Sequence, residues 1–409
     1  GAVTLDNATN DVDNLVLSAA GQATAFTDVD GINLAGINAA SLTLNAGGAV
    51  TDTVATTVGT LSVTSTGPVT LDVAANDVDN VGISAAGQAI TFVDHEDFNI
   101  TGMNGSTVAL TSGGAVTDSG TIVAGTFTLT SGGAVTLNTA ANDVDTLTIS
   151  AAGQPIVFVD VDGFDIAGLN GTSATLTSGG AVTDSGTITV GTLNVTSTGA
   201  VTLNTATNDV NDLIVSAAGQ AVTFVDTDGI NLAGITAGTF TLTAGGAVTD
   251  SAATAATNLN VTATGPVTLD FAANDVDVLN VSTPGQAITF VDADGFDIAS
   301  LNGAVTTLTA GGAVTDSGTI IATTLNVTGT GPVTLNTATN DVDVLNISTP
   351  GQAITFVDVD GFDIAGINGA ATTLTAGGAV TDSGTIIATT FNMTGTGPVT
   401  LNSAANDVD

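Results

Sequence analysis

Carboxylates are the residues of this sequence best suited to chemistry, and they fall in three places that recur along the chain. The first is Asn340-Asp341-Val342-Asp343, the second is Asp358-Val359-Asp360-Gly361-Phe362-Asp363, and the third is Asp382 in Thr381-Asp382-Ser383-Gly384. Clustered carboxylates with backbone carbonyls suit Ca2+, a hard cation that takes roughly six to eight oxygen ligands. The candidate ligands are Asp341, Asp343, Asp358, Asp360 and Asp363. Their repeat equivalents are Asp275, Asp277, Asp292, Asp294 and Asp297, and Asp143, Asp145, Asp160, Asp162 and Asp165. The pattern is not an EF-hand, because aligning Asp358 and Asp360 on that loop puts Phe356 at the first ligand position and Ile367 at the last. It also lacks the Gly-Gly-x-Gly-x-Asp order of nonapeptide calcium repeats. A second reading makes the same residues turn formers, with Asp and Asn capping N–H groups where strands end. One copy departs from the pattern, reading Asp94-His95-Glu96-Asp97. A lone histidine beside three acids is a metal or acid–base candidate; the plainer reading is variation in a surface turn.

These residues are positioned by a tandem repeat. The stretch Gly331-Pro332-Val333-Thr334-Leu335 has counterparts beginning at Gly1, Gly67, Gly133, Gly199, Gly265 and Gly397, a constant interval throughout. The copies are 1–66, 67–132, 133–198, 199–264, 265–330 and 331–396, with a partial seventh over 397–409. A fixed period of this length means stacked repeats. Within the sixth copy three sub-units, in a 20/26/20 pattern, open at Gly331, Gly351 and Gly377. Each holds short runs of period-two alternation separated by Gly, Asn and Asp, the pattern of half-buried strands between turns. The expected fold is all-β: a parallel β-helix, or β-solenoid, running as one continuous body over 1–409. Taking each sub-unit as one rung gives three rungs per repeat. With rungs stacked at about 4.8 Å, the chain forms about 19 rungs over roughly 90 Å. The extra length of the middle sub-unit makes a protruding loop, which brings the second acidic place near the first.

Val333, Leu335, Leu345, Ile347, Ile354 and Phe356 occupy alternate, inward positions. The fifth and sixth copies differ at ten of 66 positions. Six of the ten keep an apolar side chain: Val281/Ile347, Ala293/Val359, Leu301/Ile367, Val305/Ala371, Leu325/Phe391 and Val327/Met393. Such swaps are what a packed interior tolerates. The threonine that follows the first strand residue, as in Thr334, Thr355 and Thr381, recurs on nearly every sub-unit and points outward in a ladder. Solvation of a β-sheet explains it; a flat recognition face is the sharper alternative.

Lys and Arg are absent against 39 acidic residues and one histidine, a formal charge of −39. Nothing here could neutralise phosphates, which excludes nucleic acid and anionic membranes as partners. Spread over the expected length, these charges fall about 2.3 Å apart, close to the ~1.7 Å of duplex DNA, so the chain must gather cations. There is no cysteine, hence no disulfide or thiolate site. No apolar run is long enough to suggest a membrane span.

The run Gly-Gly-Ala-Val-Thr-Asp-Ser-Gly over 377–384, with short glycine-cornered coils and Asn/Thr-rich strands, resembles the repeat region of filamentous-haemagglutinin-type bacterial exoproteins. The resemblance implies a right-handed β-helix shaft, secretion to the bacterial surface, and a part in adhesion or matrix. The expected function is a structural or adhesive extracellular fibre without catalysis. The alternative is a repeat-array module binding a glycan, mineral or ice surface through Thr or Asp ladders. Ca2+ is the one cofactor suggested. The expected partners are copies of the chain, or a longer parent chain that the partial seventh repeat implies, and a glycan or surface ligand.

Overall fold

A computed structural model describes all 409 residues. It holds 37 strands and no helix, and every pairing between strands is parallel. The chain coils as a β-solenoid of about 21 turns. It divides into two units, Gly1–Val210 and Asn211–Asp409.

In the first unit one column of paired residues runs Ile32, Val50, Val69, Ile90, Val108, Phe127, Leu147, Ile166, Asp184. The advance from each member to the next is uneven, shortest from Ile32 to Val50 and longest from Val69 to Ile90. In the second unit the column Ile230, Val248, Val267, Ile288, Thr306, Leu325, Leu345, Ile364, Asp382 repeats that uneven series step for step.

The parallel β-solenoid is therefore as the alternation predicts, but its turns do not coincide with the 20/26/20 sub-units. Eight steps of the column carry the chain from Ile32 to Asp184, so each turn is slightly shorter than the shorter sub-units. A repeat consequently makes three and a half turns rather than three. The middle sub-unit carries no extra loop: Ile354 pairs with Thr372, which lies well inside that same sub-unit. Register shifts, such as the one between Leu345 and Asn346, absorb the odd residues. The half turn has a geometric result. The counterpart of Ile32 in the next copy, Phe98, falls midway between the column members Ile90 and Val108. Two copies on, Phe164 returns to the same strand as the column member Ile166. Adjacent copies thus present equivalent residues half a turn apart, and like-facing equivalents recur every seven turns, about 34 Å at the usual strand spacing.

The core is the inward half of each alternating run. Val333, Leu335, Leu345, Ile347, Ile354 and Phe356 are all at most 1 % exposed. Of the six apolar swaps, Val281, Leu301, Leu325 and Val327 lie in this core, whereas Val305 and Val359 stand on the surface. In four copies a second phenylalanine enters the interior. Phe356 and Phe362 meet edge to face with ring centres 5.2 Å apart. Glycines let the turns stack. A Cβ on Gly311 would lie 1.9 Å from the carbonyl oxygen of Ala293 on the turn before.

Candidate functional site

The acidic residues of a repeat separate into distinct roles. Asp358 ends the strand Ile354–Asp358 with its carboxylate turned inward, 3 % exposed. Its two oxygens accept from the N–H of Val342 on the preceding turn (3.0 Å) and from the N–H of Asp360 (3.1 Å). Asp292 and Asp160 make the same pair of bonds, to Val276 and Asp294 and to Val144 and Asp162. Burial pushes each of these three carboxyls up to about 6, with the following Asp adding repulsion and the amide bonds acting against both. This is the turn-capping chemistry of the second reading, performed by a desolvated acid.

Asp363, Asp297 and Asp165 sit on the outer side of the next strand and face the following turn. Asp363 accepts from Thr381 Oγ1 (2.7 Å) and from Ser383 Oγ; Asp297 takes Thr315 and Ser317, and Asp165 takes Thr183 and Ser185. Asp341, Asp343, Asp275, Asp277, Asp143 and Asp145 are exposed on strand surfaces, and Asp360, Asp294 and Asp162 are exposed in the turn. The candidate ligands of one copy are thus divided between an inward clamp, a hydroxyl bridge and open surface. Nowhere do three His, Asp or Glu side chains converge as a metal site would require.

The most connected acid is the third one. Asp316 accepts from the N–H of Asn336 (2.7 Å), the N–H of Thr337 and the side-chain amide of Asn340 (2.7 Å). Asn340 is fully buried, and its Oδ1 in turn accepts from the N–H of Ile320 (2.9 Å). The set recurs as Asp118 with Asn142, Asp184 with Asn208, Asp250 with Asn274 and Asp382 with Asn406. The hydrogen bonds hold Asp382 below the usual carboxylate range, the amide of Asn406 contributing most. These asparagines are the functional residues that reading by charge passes over. Their one visible signal is that the position is Asn in every copy, from Asn10 to Asn406.

The divergent copy places His95 at the surface. Its Nδ1 lies 2.9 Å from the carbonyl oxygen of Asn76, which accepts only, so Nδ1 carries the hydrogen. Nε2 stands 3.5 Å from Glu96 Oε1. The bond to Asn76 and the surrounding acids raise the imidazole above its ordinary value.

The expected outward threonine ladder holds only in short runs. Thr315, Thr334 and Thr355 pair in one column, which continues to Thr373. Thr381 instead pairs with Asp363 and Thr400 half a turn away, because a repeat makes three and a half turns. Outward threonines also fill neighbouring columns. Thr126, Thr128 and Thr130 project from the strand Ile122–Ser131 and pair with Thr146, Thr148 and Ser150 on one side. On the other side they pair with Thr107, Ala109 and Thr111.

A family model described as repeats of unknown function (DUF5649) matches the chain over 21–85, 86–151, 156–217, 219–282, 285–348 and 351–409. The chain belongs to this family. Nothing among curated proteins or solved structures matches it. The first DUF5649 match starts at Gly21, about a third of a copy later than the glycine frame used above, and its successive matches keep nearly the same period. The phase of a circular pattern is a convention; the half-turn displacement holds for DUF5649 copies counted from either start.

Proposed function

We propose that the chain is a length of structural or adhesive fibre shaft, carried on the bacterial surface, in which the repeats set distance and do no catalysis. The observation that carries this reading is the series of turn lengths, identical in the two units. Copies whose surface residues differ preserve the coil itself, as a shaft requires. The resemblance to haemagglutinin-type exoproteins points the same way. Cations gather along such an acidic shaft diffusely, since its carboxylates are already engaged by amides and hydroxyls or scattered in solvent.

The test is electron microscopy and fibre diffraction of native material carrying this chain. Uniform fibres with a ~4.8 Å reflection along the axis and a period of about 34 Å are expected. Native material found only as short isolated particles would overturn the shaft.

A further inference from the structure

In four copies one outward patch holds no charge, although the chain carries 39 acidic residues; in the patch of the third copy the position equivalent to Thr146 is Asp212. Between the strands Phe98–Ser112 and Asp143–Ser150, nine outward positions in three columns and three turns hold seven threonines, one serine and one alanine. In the second unit the corresponding patch is centred on Asn326, with Thr324 and Thr328 beside it and Thr307 and Asn346 above and below. It too holds no carboxylate. The patches centred on Ser62 and Asn260 are likewise uncharged. Their inward neighbours are packed core, so the patch is backed by a rigid interior. Its outward side chains are mostly hydroxyls and amides, with Ala109, Val278, Val305 and Val344 among them. Columns stand ~6.8 Å apart along the strand and ~4.8 Å apart between turns.

We propose that this patch is a binding face for a neutral polysaccharide, resting on the surface-fibre reading above. Charge decides the class. A strongly anionic chain repels acidic glycans, and removing carboxylates from one patch serves a ligand that carries no charge of its own. Hydroxyls and amides both donate and accept, as sugar hydroxyls do. No aromatic side chain stands in the patch to stack on a sugar ring. Recognition therefore rests on many weak hydrogen bonds in register, and binding is appreciable only through multivalency along an extended polymer. The half-turn displacement distributes the face: the patches centred on Ser62 and Thr128 lie half a turn apart, so polymer strands can be held on two sides.

Affinity electrophoresis of the whole chain tests this with laminarin and hydroxyethyl cellulose as neutral probes and polygalacturonate as the acidic one. Retardation by a neutral glucan, and none by polygalacturonate, is expected. A variant with Thr126, Thr128, Thr307 and Thr324 all changed to valine keeps the β-branched shape and the fold, checked by circular dichroism. It should lose at least half of the retardation. No retardation by either neutral glucan, equal retardation by polygalacturonate, or an unaffected valine variant would each overturn the proposal. So would sedimentation showing that copies of the chain cover one another's patches instead. None of these results would touch the fibre reading, which is judged on native material by microscopy.

Discussion

Asn340 joins two turns at once: its Nδ2 donates to Asp316 at 2.7 Å while its Oδ1 accepts the amide of Ile320 at 2.9 Å. Both groups are shielded from water, and losing a buried partner costs about 1–3 kcal/mol for each group left unsatisfied. Asn340→Leu should therefore destabilise the second unit by roughly 2–5 kcal/mol, read as a lowered midpoint in thermal or urea melts. Asn340→Asp should do similar damage at pH 7, where two carboxylates would face each other. That loss should shrink near pH 4. A melt indistinguishable from wild type would refute the structural weight given to this pair.

The inward carboxyls of Asp160, Asp292 and Asp358, raised to about 6, make stability pH-dependent in a defined direction. Between pH 4 and 6 the folded state holds protons that the unfolded state has released, so stability falls as pH rises through this window. The melting temperature should be higher at pH 5 than at pH 7. Asp160→Asn, Asp292→Asn and Asp358→Asn together should flatten that slope. An unchanged slope in the triple variant would assign the effect to the diffuse surface charge instead.

Thr254 is fully buried and its hydroxyl has no partner, while the same position is Ile122, Ile188, Ile320 and Ile386 in other copies. Replacing an unsatisfied buried hydroxyl by a methyl of the same shape removes a desolvation cost of about 1–3 kcal/mol. Thr254→Val should raise the melting temperature of the second unit. A fall would mean that the hydroxyl is bonded in solution.

The dispersed carboxylates predict a response to divalent cations in general. At fixed ionic strength Ca2+ and Mg2+ should raise the melting temperature alike, and a chelator should lower it no further than their removal does. Stabilisation by Ca2+ alone would restore a specific calcium site at the Asp358 turn.

Gly311 tests the stacking of the turns. Its missing Cβ would fall 1.9 Å from the carbonyl oxygen of Ala293, a backbone atom with little room to move. Gly311→Ala should lower the melting temperature by more than Ala313→Gly does, since the first creates a clash and the second only loosens a turn. Equal effects would show that the neighbouring turn yields easily.

The alternating pattern exposed the inward side chains from Val333 to Phe356 because burial in a strand has a period of two, which a sequence displays directly. Turn length was not legible. Glycines 351 and 377 look like corners of one coil, yet the strand after Gly351 pairs with Thr372, short of the next corner. What sets the turn is a handful of register shifts, such as that between Leu345 and Asn346, and these leave no mark in composition. The acids were visible, but their roles were not. Asp316 bonds with Asn340 in the next copy, so no inspection of a single copy could show the pair. Asp363 resembles Asp358 in sequence and differs from it only by facing outward.

The half-turn displacement also gives copy number a parity. Inserting one further copy within either unit would advance the rest of that unit by three and a half turns, so that its faces once aligned would look in opposite directions. Inserting two copies would restore the alignment. Length variants that arise by unequal recombination among such near-identical copies would therefore preserve the facing of that unit's distal surfaces when they gain or lose copies in even numbers. A gain of one would lengthen the unit and invert the rest of it.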